Sequence, residues 1–278
     1  MKSIWLKILL IVVIVFAAVS ITLNIYMDKW LSMELTEILN KNPDRKNDIA
    51  FEDFTIHVLL GNLSIHNVSI VPTSSDSTKK PLMTVEEFGI RGVSFFKLFT
   101  NKEISTRTLI IKKPIVNFRV KAKQKIVGDS KEINTLWKDI LTRIDVKNFE
   151  IVEGTVSIYD EIKDKEQVHM SPINLIVTNI IIDTTTIDDP FPLKYSSINL
   201  NGANLDIDMD DFILKTAQFE VTENTLNIEG LKLTPKKGTK RPQIMTIGAK
   251  SIDITHFSWG FIEEQFYLKI KTISANEA

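Results

Sequence analysis

The chain has 278 residues, of which 44% are hydrophobic and 25% charged, with 34 Lys and Arg against 35 Asp and Glu. A formal net charge of -1 exerts no overall pull toward polyanions, so nucleic acid is not an expected partner. Cysteine is absent, which excludes disulfides and thiolate metal sites, and the length suffices for a sizeable core without either.

The first predicted element is a transmembrane anchor over residues 1–27. From Ile8 to Met27 only Ser20, Thr22 and Asn24 interrupt an apolar run of about 20 residues, enough to cross a hydrocarbon layer roughly 30 Å thick as a helix. Ile8, Leu9, Ile11, Val13, Phe16, Ile21 and Leu23 form its apolar body, and Trp30, with Trp5 and Tyr26, suits an interfacial aromatic belt. Lys2 and Lys7 precede the run and Asp28 follows it, so the N-terminus is expected in the cytoplasm and the bulk of the chain across the membrane. The competing reading is a signal peptide cleaved near Ala17-Ala18-Val19-Ser20, but Ile21, Leu23, Ile25 and Met27 carry the apolar run beyond that point. Trp30, Leu31, Leu35, Ile38 and Leu39 recur at helical spacing and predict an amphipathic stalk over 28–46, ending near Asn42-Pro43.

From residue 47 the period changes to two, and a mainly β, antiparallel, curved domain is expected over 47–278. Phe51, Phe54 and Ile56, then Leu63 and Ile65, then Val68 and Ile70 alternate with polar residues, the pattern of half-buried strands. Similar stretches are Ile115 to Val120, Phe149 to Ile151, Val156 to Ile158, Ile198 to Leu200, Leu205 to Met209, Phe219 to Val221 and Leu226 to Leu233. Gly61-Asn62, Glu153-Gly154 and Asn201-Gly202 lie between such runs and predict tight hairpins, because they tolerate positive φ. One segment differs: Ile133, Leu136, Trp137, Ile140, Leu141 and Ile144 follow helical spacing and predict one short amphipathic helix over an end of the sheet.

The β region also repeats itself, at about 51–120 and 214–278. Leu63-Ser-Ile-His-Asn-Val-Ser-Ile-Val-Pro72 matches Leu226-Asn-Ile-Glu-Gly-Leu-Lys-Leu-Thr-Pro235 in its apolar positions and its terminal proline. Each copy then has a proline-bearing polar loop (Pro81, Pro242), a strand start (Met83-Thr84-Val85, Met245-Thr246-Ile247) and an aromatic cluster (Phe95, Phe96, Phe99 and Phe257, Trp259, Phe261). Recurrence at long period predicts one hairpin set used twice. The second copy stops at Ala278 before any counterpart of Lys112-Lys-Pro-Ile-Val-Asn-Phe118, so the protein is either short or a piece of a longer one.

No nucleotide-binding, nucleophile-elbow or zinc-protease motif occurs, and His57, His66, His169 and His256 are scattered, so no catalytic residue, cofactor or metal is assigned and enzymatic activity is not expected. Asp206, Asp208, Asp210 and Asp211 resemble the start of a calcium loop, but Asp211 stands where glycine is required and Ala217 where glutamate is required. They read instead as the solvated side of a strand whose other side carries Leu205, Ile207 and Met209. Lys236, Lys237, Lys240 and Arg241 form a basic loop, and Lys112, Lys113, Lys121, Lys123 and Lys125 suit edge protection.

An N-terminal membrane span followed by Phe51-Glu-Asp-Phe-Thr-Ile56, Gly61-Asn-Leu-Ser-Ile-His-Asn-Val-Ser-Ile70, the Lys-Pro-Ile-Val of Ile104 to Phe118, and Val146-Lys-Asn-Phe-Glu-Ile-Val-Glu-Gly-Thr-Val-Ser-Ile-Tyr-Asp160 resembles the AsmA-like proteins. That resemblance implies a repeating β-groove, a single span in the inner membrane with the bulk of the chain in the periplasm, and a role in outer-membrane and envelope lipid homeostasis. Two functions follow. In one, an apolar trough of Phe54, Ile56, Leu63, Ile65, Ile115, Phe118, Ile158, Leu205 and Ile207 stays open to phospholipid or another acyl lipid. In the other, the same face closes on a second sheet as a structural sandwich that acts through an envelope protein partner.

Overall fold

A computed structural model of the chain describes residues 47–57, 60–72, 82–94, 97, 100–101, 103–120, 143–160, 162–183, 186, 193–209, 211–236, 246–262 and 265–276. The predicted anchor (1–27), the stalk (28–46) and residues 133–142 of the predicted helix lie outside these. No helix among the described residues is long and apolar enough to cross a membrane.

Thirteen strands form one sheet among the described residues. They are β1 (Asn47–Ala50), β2 (Asp53–His57), β3 (Asn62–Pro72), β4 (Met83–Arg91), β5 (Glu103–Lys112), β6 (Ile115–Val120), β7 (Arg143–Asp160), β8 (Lys165–Asp183), β9 (Ser197–Asp208), β10 (Phe212–Val221), β11 (Thr225–Pro235), β12 (Ile247–Ile262) and β13 (Gln265–Asn276). Their order across the sheet is β1-β3-β4-β5-β7-β8-β9-β10-β11-β12-β13, with β2 beside β3 and β6 between β4 and β7. β1 and β2 thus lie end to end along β3, and β5 and β6 end to end along β7, each pair reading as one interrupted strand.

The sheet is mixed rather than purely antiparallel. β5 and β6 run parallel to β7, while every other pairing is antiparallel. Parallel neighbours need a long crossover, and residues 121–142 separate β6 from β7. Ile144, assigned from its spacing to the helix, lies in β7 opposite Ile182. Helical and strand periods overlap at such a boundary, and here pairing on both sides decides in favour of the strand.

Two of the three predicted hairpin turns are not turns. Gly61 (φ 64°) does join β2 to β3, whereas Glu153-Gly154 falls inside β7 and Asn201-Gly202 inside β9. Positive φ is used here to kink strands rather than to end them. In β3, Leu63 and Ile65 are followed by Asn67 (φ 52°) and then by Val68 and Ile70. In β7, Phe149 and Ile151 are followed by Glu153 (φ 55°) and then by Gly154, Val156 and Ile158. Asn204 (φ 49°) in β9, Gly230 (φ 63°) in β11 and His256 (φ 56°) in β12 do the same. A left-handed residue in an extended strand bends it and shifts the alternation by one. The apolar interval lengthens from two to three at that point, and the apolar side chains remain on one side of a curved sheet.

The two segments of the predicted repeat carry this kink at equivalent places, Asn67 in β3 and Gly230 in β11. Their next strands are set differently. Val68 lies opposite Val85 and Ile70 opposite Met83, whereas Leu233, the counterpart of Ile70, lies opposite Ile247, the counterpart of Val85.

Candidate functional site

The register aligns the apolar positions into rows that run across the strands. The longest joins Phe54, Ile65, Phe88, Ile111, Ile151, Leu175, Leu200, Val221, Leu226, Ile254 and Ile273, one residue from each of eleven adjacent strands with no polar member. Ten inter-strand steps of about 4.8 Å make it about 48 Å long. A parallel row joins Ile56, Leu63, Ile90, Leu109, Phe149, Val177 and Ile198. Beyond the kinks a third joins Phe118, Ile158, Val168, Ile207, Leu214, Leu233 and Ile247.

Most predicted site residues fall on this face. Phe54 with Ile65, Ile56 with Leu63, and Phe118 with Ile158 and Ile207 share rows, and Leu205 lies opposite the buried Thr216 one pair along from Ile207. Ile115 does not belong. It is paired with Thr84 and Thr155, one residue out of phase with Val116 and Phe118, and therefore projects from the opposite side. The Lys113 kink (φ 46°) just before it shifts the alternation, so counting in twos from Ile111 reaches Ile115 on the wrong face. Exposure also differs along the face: Phe54 and Ile56 are buried at 4% and 5%, Leu63, Ile65, Ile158, Leu205 and Ile207 are half-buried, and Phe118 is 52% exposed. Simple alternation does not single out Ile111, Leu175, Leu200, Val221, Leu226, Ile254 and Ile273 as members of one row. Their signal was the three-residue step at each kink, which reads as the end of one strand and the start of another.

The opposite face carries Ile110, Ile115 and Ile176 but is otherwise largely polar, and it is laced with side-chain bonds between strands. Lys112 donates to Glu87 at 2.5 Å, Thr155 and Ser171 share a bond at 2.8 Å, Thr178 and Ser197 one at 2.6 Å, and Asn199 donates to Glu220 at 3.2 Å. Asn227 donates to Asp253 at 2.5 Å, Asn276 to Ser251 at 2.8 Å, and the Arg119 guanidinium stands 5.6 Å from the Tyr159 ring centre. The carboxylates that resemble a calcium loop are neutralised on this side by lysines: Asp206 by Lys215 at 2.5 Å, and Asp208 by Lys165 and Lys236. Hydrogen bonds from those two lysines hold the Asp208 carboxyl below the usual carboxylate range, and the Lys112 hydrogen bond does the same for Glu87. A sheet with one apolar and one bonded polar face is built to have the first covered and the second in water.

All thirteen strands belong to that one sheet, so among the described residues no second sheet lies against the apolar rows. Phe95, Phe96, Leu98, Phe99, Asp210 and the basic loop beyond Lys236 lie outside the described residues. In sequence, no family model matches the chain and no curated protein matches it.

Proposed function

We propose that the chain is a membrane-anchored protein of the cell envelope that handles lipids, its apolar β face lying along acyl chains in the periplasm. The observation that carries this reading is the unbroken row of eleven apolar residues from Phe54 to Ile273, set against a hydrogen-bonded polar face on the other side. Its length of about 48 Å exceeds the roughly 30 Å hydrocarbon thickness of a bilayer, so lipid tails fit along it without meeting a polar side chain. Each methylene transferred from water to such a surface contributes about 0.8 kcal/mol, so a tail of a dozen or more is held without a specific headgroup contact. The apolar run from Ile8 to Met27 would keep the face beside a lipid source, and the resemblance to AsmA-like proteins supports the same assignment.

The test is photo-crosslinking in growing cells. A photoreactive residue at Leu200, on the row, is expected to form phospholipid adducts visible by mass spectrometry of the purified chain. The same residue at the neighbouring Asn199, on the polar face, is expected to form few. Equal labelling at both positions, or no lipid at Leu200, overturns the proposal.

A further inference from the structure

The polar face carries a cavity of about 280 Å³ over β8 to β11, four strands flanked in the sheet by β7 and β12. Its lining is a grid of two rows set by register. Asn174, Asn201, Glu220 and Asn227 lie opposite one another in the first row, and Ala203, Gln218 and Glu229 in the second. Each alternates with apolar-row neighbours such as Leu175, Leu200, Val221 and Leu226, so the grid projects away from the apolar face. Ala203 and Gly202 carry little or no side chain, which leaves the space between the longer residues open. Just beyond the second row, Asn204 (φ 49°) and Gly230 (φ 63°) kink β9 and β11 and end the grid.

Hydrogen bonds within the protein orient these side chains and leave each with unused capacity. Asn174 Oδ1 accepts from the Glu153 backbone N–H at 3.0 Å, so its Nδ2 remains as a donor. Asn201 donates to Asn199 at 2.5 Å and Asn227 donates to Asp253, so both keep their carbonyl oxygens as acceptors. Glu220 accepts from Asn199 through Oε1 and keeps Oε2. Gln218 and Glu229 are exposed and have no side-chain hydrogen bond or ion pair among the described residues. No lysine, arginine or histidine among the described residues lines the cavity.

This inventory selects the ligand chemistry. Acceptors outnumber donors, yet both are present. A phosphate or carboxylate only accepts, and would meet two carboxylates with no cation to offset them. An ammonium only donates, and would leave the amide donors of Asn174 and Gln218 unmatched. A hydroxyl does both. We infer that the cavity binds a saccharide, whose vicinal hydroxyls donate to Glu220, Glu229 and the asparagine carbonyls and accept from Asn174 and Gln218. Three inter-strand steps and a two-residue rise give the grid a footprint of about 14 Å by 7 Å, room for one or two sugar rings. The ring of Phe219 belongs to the other face, so stacking does not contribute and exchange is fast. The site lies on the side of the sheet away from the apolar rows and does not depend on what those rows bind.

The test uses the full chain in a detergent without sugar groups and follows saturation-transfer NMR to the methyl glycosides of glucose, galactose and N-acetylglucosamine. At least one is expected to show saturable transfer. Glu229→Leu removes a carboxylate that bonds to no other described residue and is expected to weaken that binding about tenfold, whereas Glu229→Gln, which keeps an acceptor, weakens it less. Phospholipid adducts at a photoreactive residue placed at Leu200 are expected to be unchanged in both variants, which separates this site from the lipid face. No transfer to any of the three glycosides, undiminished binding in Glu229→Leu, or spermidine displacing the sugar from the site, overturns the inference.

Discussion

The ring of Phe219 in β10 reaches over Gly202 in β9, its cross-strand partner, so closely that a Cβ on the glycine would sit 2.1 Å from Cζ. An aromatic covering a glycine on the neighbouring strand restores the packing that the missing side chain forfeits. Gly202→Ala is therefore expected to destabilise the protein by about 1–3 kcal/mol through overpacking, despite alanine being the better strand residue. In a Phe219→Ala background the same change is expected to cost close to nothing. Urea unfolding of the four proteins of that cycle measures the coupling, and additive penalties would show that the ring moves aside freely.

The kinks make a different demand. His256 holds φ at 56° within β12, a conformation that costs an ordinary L-residue about 1–2 kcal/mol and a β-branched one more. His256→Val is expected to lower the unfolding free energy by about 2 kcal/mol, while His256→Gly changes it by less than about 1 kcal/mol, relief of strain offsetting the entropy of glycine. The ordering Gly above Val is opposite to strand propensity, and thermal unfolding of the two variants reads it directly. Valine tolerated as well as glycine would mean that the strand straightens without loss.

Those kinks also explain how far the fold could be read in advance. Alternation at Phe54 and Ile56, at Leu63 and Ile65, and at Leu205 and Ile207 marks strands correctly, because period two survives wherever the backbone stays extended. Where Asn67, Glu153 or Asn204 turns left-handed, the phase slips, and one strand of 11, 18 or 12 residues reads as two separate runs. The Lys113 kink likewise sets Ile115 on the face opposite to the one its spacing predicts. The parallel pairing of β7 with β5 and β6 had no local signal, since it depends on how the chain returns across 121–142. Nor could the row from Phe54 to Ile273 be seen as a row. Its members are brought together by register across eleven strands, and register is a long-range property.

Leu175 and Ile176 are consecutive in β8 and point to opposite faces, the first within the long apolar row and the second 48% exposed on the polar side. A carboxylate at Leu175 removes contact with roughly four methylenes of any tail lying there, about 3 kcal/mol or on the order of a hundredfold in affinity. Leu175→Asp is expected to abolish phospholipid adducts at a photoreactive residue placed at Leu200, and Ile176→Asp to leave them unchanged. Lipid phosphate per mole of purified chain gives a second measure. Equal loss in both variants would point to unfolding, which circular dichroism separates from a loss confined to the face.

Lys112 donates to Glu87 at 2.5 Å on the polar face, and this hydrogen bond holds the glutamate pKa below its ordinary value. A carboxyl whose pKa is lower folded than unfolded binds more protons in the unfolded chain, so it contributes stability above its unfolded pKa of about 4.3 and loses it as pH falls through the folded value. Asp208, lowered by hydrogen bonds from Lys165 and Lys236, acts with the same sign. Unfolding free energy is thus expected to decline as pH is lowered from about 5 toward 3. Glu87→Gln should be less stable than the parent at pH 7 and indistinguishable from it once the parent carboxyl is protonated, giving a shallower slope across that window. Lys112→Met removes the donor and should also flatten the slope, because it returns Glu87 toward its unfolded pKa. Urea titrations at several pH values distinguish these cases, and unchanged slopes in both variants would show that the pair leaves the folding equilibrium untouched.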